Sequence, residues 1–226
     1  MEVTVIGTGN MARGIATRLL AGGHEVTLLG HEAGKGEALA GELDGYVGSG
    51  TAGDPIEGEV VVLAVPYEAA APLVQEYGDG LSGKTVVDIT NPVDWQTFDG
   101  LVTPSDSSAA EEIQKAAPEG VSVVKAWNTN FAGTLVEGGV AGQPLDVFVA
   151  GDEAGAKESV IDLVESGGVQ GHRRRSPAAG TRARAARLSR HDAPATAGVR
   201  LPERLEARQL GRPRMAAMNT GKDRST

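Results

Sequence analysis

The chain has 226 residues, 40% of them hydrophobic, and no cysteine, which excludes disulfides, thiolate nucleophiles and cysteine-ligated zinc or iron–sulfur centres and leaves any redox chemistry to an organic cofactor. Its net charge of −9 joins two unlike parts: residues 1–170 hold 26 Asp and Glu against 7 Lys and Arg, a net of −19, whereas residues 171–226 hold 4 against 14, a net of +10. The carboxylate-rich body has the character of a halophilic surface screened by salt, and without a basic leader or an apolar stretch of spanning length the chain reads as a soluble cytoplasmic protein with no membrane partner.

Apolar runs of strand length alternate with segments whose apolar residues recur every three or four positions, the pattern of βαβ units. A strand at 3–6 leads to a helix at 11–20, which the Gly22-Gly23 pair ends. A strand at 26–29, a helix at 37–43, a strand at 60–65 and a helix at 68–77 follow. Next come a strand at 85–89, a helix at 108–116, strands at 122–126 and 147–150, and a helix at 153–166. This alternation predicts an α/β fold with a mostly parallel, doubly wound sheet. After Gly168 the periodicity stops and Arg, Ala, Pro and Gly dominate. The expected organisation is therefore a nucleotide-binding domain over 1–170 and a basic, low-order tail over 171–226.

The first strand and helix are joined by Gly7-Thr8-Gly9-Asn10-Met11-Ala12, the G-x-G-x-x-A form of the Rossmann-type dinucleotide fingerprint. Gly7 permits the tight turn, Gly9 lets the backbone approach a pyrophosphate, and Ala12 lets the helix pack closely on the strand. The anion then meets free amides at the positive end of the helix dipole. Cofactor choice falls to the end of the second strand, where an acidic residue would bond ribose hydroxyls and a basic one a 2′-phosphate. Leu29 is followed there by Gly30-His31-Glu32-Ala33-Gly34-Lys35. No carboxylate sits directly on the strand end. Lys35 and His31 can meet a phosphate through charge-assisted bonds worth roughly 1.5–3 kcal/mol each, and Glu32 argues the other way. The balance favours NADP.

Three further strand ends carry candidate binding residues: Ala64-Val65-Pro66, Asn91-Pro92, and Ala126 with Asn128-Thr129. Carboxyl ends of parallel strands are where the nicotinamide half of a dinucleotide lies. Asn91 and Asn128 can hold ribose or carboxamide groups, and Trp127 or Phe131 can cover a planar ring. No side chain presents itself as a catalytic acid, base or nucleophile, and no metal site is expected.

The combination of Gly7-Thr8-Gly9-Asn10-Met11, Gly23-His24-Glu25, Ala64-Val65-Pro66, Asp88-Ile89-Thr90-Asn91-Pro92, Ser107-Ser108-Ala109-Ala110-Glu111 and Lys125-Ala126-Trp127-Asn128-Thr129-Asn130 resembles the F420-dependent NADP oxidoreductase family over residues 1 to about 170. The resemblance implies reversible hydride transfer between nicotinamide C4 and deazaflavin C5, with NADP and coenzyme F420 as partners. Such chemistry needs placement and water exclusion more than an acid–base residue. Two departures stand out. Family members commonly carry a Ser/Thr and basic pair where this chain has Gly30, His31 and Glu32, and Asn128 stands where well-known members carry His. The open alternatives are a reductase of the same fold acting on an imine, flavin or ferric chelate, and a nucleotide sensor or nucleic-acid-binding protein using the basic tail. Nucleic acid is the lesser expectation, since a run such as Arg173-Arg174-Arg175 is more often a solvated segment.

The tail itself suggests a shifted reading frame. Residues 171–184 can be back-translated so that dropping the first base gives A-I-D-A-G-P-L-R-R-A-R-E-L, which looks like a family strand end and its following helix. Residues 201–208 read in the same frame can give the aromatic and aliphatic content that the tail lacks. A homodimer is expected only where that C-terminal part is intact.

Overall fold

The run Val3-Thr4-Val5-Ile6 is buried along its whole length, as a strand covered on both faces must be, and the rest of the fold is laid around it. The computed structural model describes residues 1–175. In chain order these form β1 (Glu2–Ile6), α1 (Asn10–Ala21), β2 (Glu25–Gly30), α2 (Lys35–Ala40), β3 (Val47–Thr51), β4 (Val60–Leu63), α3 (Tyr67–Tyr77) and β5 (Thr85–Asp88). They continue with α4 (Ala109–Ala116), β6 (Ser122–Lys125), α5 (Ala132–Glu137), β7 (Gly139–Val140), β8 (Gln143–Pro144), β9 (Asp146–Gly151), α6 (Ala154–Ser166) and β10 (Gln170–Arg175).

Eight strands make one sheet in the order β10-β9-β6-β5-β4-β1-β2-β3. From β3 to β6 every pairing is parallel, the doubly wound arrangement whose strand order reverses between β1 and β4. Beyond β6 the direction changes: β9 runs antiparallel to β6 and β10 runs parallel to β9. Ala150 lies opposite Lys125 and Gly151 opposite Val124, so β9 starts beyond the carboxyl ends of the central strands. The β7–β8 pair stands apart as a small antiparallel ribbon.

One face of the sheet is covered by α1, α5 and α6, which bury Ile15, Leu19, Leu135 and Ile161 against Val3, Val5 and Val62. The other is covered by α3 and α4, whose Val74 and Ile113 pack on Ile6, Val61 and Leu63. Each such side chain stabilises the fold by about 1.5–3 kcal/mol. Arg18 ties the first layer together by donating from Nη1 to the Gly167 carbonyl (3.3 Å) and from Nη2 to the Val136 carbonyl (3.0 Å). Its guanidinium thus sits where α5 and α6 end, which suits the negative end of a helix dipole.

Several elements differ from the sequence expectation. β3 is VGSGT, without the apolar alternation of a half-buried strand, and it forms because β2 offers it a backbone edge. α5 is only six residues long, too short to show a period. Order also continues past residue 170, since β10 occupies 170–175. A backbone ladder is indifferent to side-chain type, and here His172 Nε2 lies 2.6 Å from Asp146 Oδ1, Arg173 pairs with Glu158, and the Arg174 guanidinium lies 4.8 Å over the Phe148 ring. The remainder of the expected tail, 176–226, lies outside the described residues. Among the described residues no helix is long and apolar enough to cross a membrane.

Candidate functional site

Parallel registry lines up the strand ends. Ile6 pairs with Leu29 and Leu63, Leu63 with Asp88, and Asp88 with Lys125. Gly7, Gly30, Ala64 and Ala126 therefore leave the sheet along one edge, and the segments after them meet at the β1–β4 reversal.

Gly7 adopts φ +123°, and a Cβ built on it would lie 2.2 Å from the Ala64 carbonyl oxygen. Its own N–H donates to the Leu29 carbonyl (2.9 Å). Only glycine fits where the β1 exit crosses the end of β4. Gly9 is the opposite case, since a Cβ there meets nothing within 4 Å. It is the N-cap of α1 and no side chain caps the first turn, so the amides that follow have no side-chain partner. Ala12 is fully buried against the sheet, Met11 packs at the core margin, Thr8 is half-buried and Asn10 is exposed. This geometry fits a pyrophosphate: room at Gly9, unsatisfied donors and a helix dipole.

At the end of β2 the chain folds back on itself. A Cβ on Gly30 would lie 2.8 Å from the Gly36 amide nitrogen and 2.9 Å from Lys35 Cβ, and the Lys35 N–H donates to the Glu32 carbonyl (3.2 Å). This turn places Lys35 beside the strand end, with His31, Glu32 and Lys35 all exposed. Two groups near this edge do not stand out in the sequence. Asp54 accepts from the Thr51 N–H (2.7 Å) next to the end of β3, and Arg13 is paired with Glu42.

The β4 exit, Ala64 and Val65, is half-buried, and Pro66 precedes the first residue of α3, Tyr67. Burial pushes the Tyr67 phenol up from its ordinary pKa, with Glu112 and Asp88 adding to the shift, so it stays a neutral donor. At the β5 and β6 exits, Asn91 Nδ2 donates to the Asn128 carbonyl (2.8 Å) and Asn128 Nδ2 donates to Asn91 Oδ1 (3.3 Å). Pro92 is half-buried and Thr129 exposed. The side chain of Ala126 is fully buried, which leaves only its backbone for a ligand.

Trp127 corrects one expectation. It is 1% exposed and belongs to the core, so it cannot cover a bound ring. Its φ is +55°, a conformation that costs a non-glycine residue about 1–3 kcal/mol. Phe131 is 78% exposed, as are Trp95 and Phe98 at 63% and 66%. The last two meet edge to face with centroids 5.6 Å apart on the loop after Pro92.

The model of the family "NADP oxidoreductase coenzyme F420-dependent" matches residues 2–92, the span from β1 to the β5 exit. The F420-dependent NADP reductase of Methanothermobacter thermautotrophicus is 31% identical over 180 residues, covering 73% of this chain and 76% of that protein. The chain belongs to this family. The family's reductase from Methanocaldococcus jannaschii is 34% identical over 110 residues, but the match spans only 48% of its length. A crystal structure from Arthrobacter sp., assigned as an F420-dependent NADP reductase, superposes with a TM-score of 0.69 at 29% identity, covering 82% of this chain and 89% of that one.

The segment Asp88-Ile89-Thr90-Asn91-Pro92 contains a group whose partner the sequence does not show. Asp88 is wholly buried, and its Oδ2 accepts from Lys125 Nζ at 2.8 Å across the β5–β6 pair. Burial pushes the Lys125 ammonium below its ordinary pKa, although Asp88 opposes the shift.

Proposed function

We propose that the chain binds NADP(H) along the carboxyl edge of the sheet and passes hydride between it and coenzyme F420. The observation that carries the reading is the Gly7–Gly9 turn at the strand-order reversal. One glycine is locked under the Ala64 carbonyl, and the other leaves open space before an uncapped helix. Family membership supports the choice of acceptor. With both partners bound, the chemistry is reversible hydride transfer between nicotinamide C4 and deazaflavin C5, which belongs to the two ring systems themselves.

The protein's share is placement. The α1 amides hold the pyrophosphate, Lys35 meets the 2′-phosphate and favours NADP over NAD. The Asn91–Asn128 pair offers amide groups to the ribose or carboxamide at the nicotinamide end. Val65 and Pro66 form the floor between the two halves. No side chain has to move a proton at the reacting carbon, so neither an acid nor a base is required of this site.

We further place the protein in a salt-rich cytoplasm. An anionic cofactor approaching a body of net charge −19 is repelled at low salt, and the Debye length falls from about 10 Å at 0.1 M to about 3 Å at 1 M. Cofactor affinity and melting temperature should both rise with potassium chloride. The deciding experiment mixes protein, NADPH and F420 at high salt and follows the deazaflavin's visible absorbance. Loss of absorbance that requires both NADPH and protein supports the reading. Tight NADPH binding with turnover only of an imine, a flavin or a ferric chelate would overturn the acceptor.

A further inference from the structure

We propose that Asp88 and Lys125 are positioning residues, which grip the Thr90 peptide from both sides and so hold Asn91 against Asn128 at the nicotinamide end of the site. This rests on the nucleotide reading above.

The geometry is a closed clamp. Asp88 Oδ1 accepts from the Thr90 N–H (2.7 Å), Asp88 Oδ2 accepts from Lys125 Nζ (2.8 Å), and Lys125 Nζ also donates to the Thr90 carbonyl. One ion pair thereby fixes both backbone polar groups of a single residue, and Asn91 follows directly. A buried ion pair is weak evidence for stability, because well-packed apolar residues often do as well in its place. Its grip on Thr90, the residue immediately before the candidate binding residue Asn91, is the better account of it.

The residues that precede the two asparagines both carry a local cost. Thr90 is 4% exposed and its Oγ1 has no hydrogen-bond partner among the described residues. Trp127 combines φ +55° with a buried Nε1 that likewise has no partner. Such costs persist only where the surroundings over-determine a conformation, and they concentrate at functional sites. What these two costly segments deliver is the asparagine pair. Each amide uses one of its two N–H groups on the other residue, which leaves donor and acceptor capacity for a ligand.

The test compares NADPH with 2′,5′-ADP, which has the adenosine half alone, by calorimetry on the full chain. Lys125→Met strands a buried carboxylate, so it is accompanied by the neutral double replacement Asp88→Asn/Lys125→Met and by Asn91→Ala, neither of which leaves a lone buried charge. The expected result is an NADPH Kd raised about tenfold, equivalent to losing one or two net hydrogen bonds, in every variant that folds, with 2′,5′-ADP affinity unchanged. An equal loss for both ligands means general loosening and overturns the proposal. Native NADPH affinity in the double variant overturns it too. Equal affinity of the native protein for NADPH and 2′,5′-ADP would show that the nicotinamide end is not engaged, which removes this proposal and leaves the phosphate turn standing. Failure of the native protein to bind either ligand would remove the nucleotide reading itself.

Discussion

Replacing Gly9 by valine separates folding from binding more cleanly than any other change in this chain. A Cβ at Gly9 meets nothing within 4 Å, and the residue already has φ −81° and ψ −177°, which valine adopts readily. The folding cost is therefore that of an aliphatic N-cap, up to about 1 kcal/mol. The binding cost is larger, because the isopropyl group fills the space that a pyrophosphate must enter. Loss of two charge-assisted bonds from the α1 amides, at roughly 1.5–3 kcal/mol each, weakens binding by about two to four orders of magnitude. Gly7→Ala is the opposite control. Its Cβ would overlap the Ala64 oxygen at 2.2 Å with φ at +123°, and strain plus overpacking cost about 2–6 kcal/mol of a total that is only about 5–15. Thermal melts and calorimetric titration with NADPH on both variants read the two effects. If Gly9→Val keeps NADPH affinity within tenfold, or melts as low as Gly7→Ala, the assignment of the open space to a pyrophosphate is wrong.

Lys35→Ala should weaken NADPH by about tenfold or more, one charge-assisted bond, and leave NADH unchanged; titrating both cofactors checks this, and equal losses would count against the 2′-phosphate contact. His24 has its pKa lowered by burial and then by the nearby N-terminal ammonium, and its Nε2 lies 2.7 Å from Ser166 Oγ. The unfolded chain then takes up this proton more readily than the folded one, so stability contributed by neutral His24 is complete above pH 6.5 and is lost as pH falls through the folded pKa. Urea unfolding at pH 7.5 and 5.5 should show a smaller acid loss for His24→Gln than for the native protein, and identical losses would refute the assignment. We also propose that the segment from 171 onward is read in a shifted frame; sequencing the locus should find a one-base insertion or deletion near codon 170, and an intact frame would end the idea.

What the sequence disclosed was whatever depends on local pattern. β1, β2, β4 and β5 are short apolar runs between turn signals, and the Gly7–Ala12 fingerprint declares its own backbone geometry, so the fold and the shape of that turn were both legible. The Asp88–Lys125 clamp was not. Its members lie 37 positions apart, and each reads singly as a polar residue near the end of an expected strand, so only the β5–β6 register brings them together. Trp127 misled for a related reason, because an aromatic residue just past a strand carries no sign of which way its backbone will turn. β10 was hidden by its composition, since arginines and glycine suggest a solvated segment while an open edge on β9 asks only for backbone.

The reversal of direction in the eight-stranded sheet, at β6–β9, has a practical consequence for how this protein can be handled. β9 and β10 begin out past the carboxyl ends of the central strands and run back toward their amino ends, with Arg175 opposite Gly151 and Gly151 opposite Val124. The backbone at Arg175 is thus already heading away from the carboxyl ends of the central strands. A reporter, linker or immobilising tag grafted at that point would set out in the direction of the amino ends of the central strands, whereas the same cargo inserted in the loop after Pro92 would start from their carboxyl ends, where the candidate site lies.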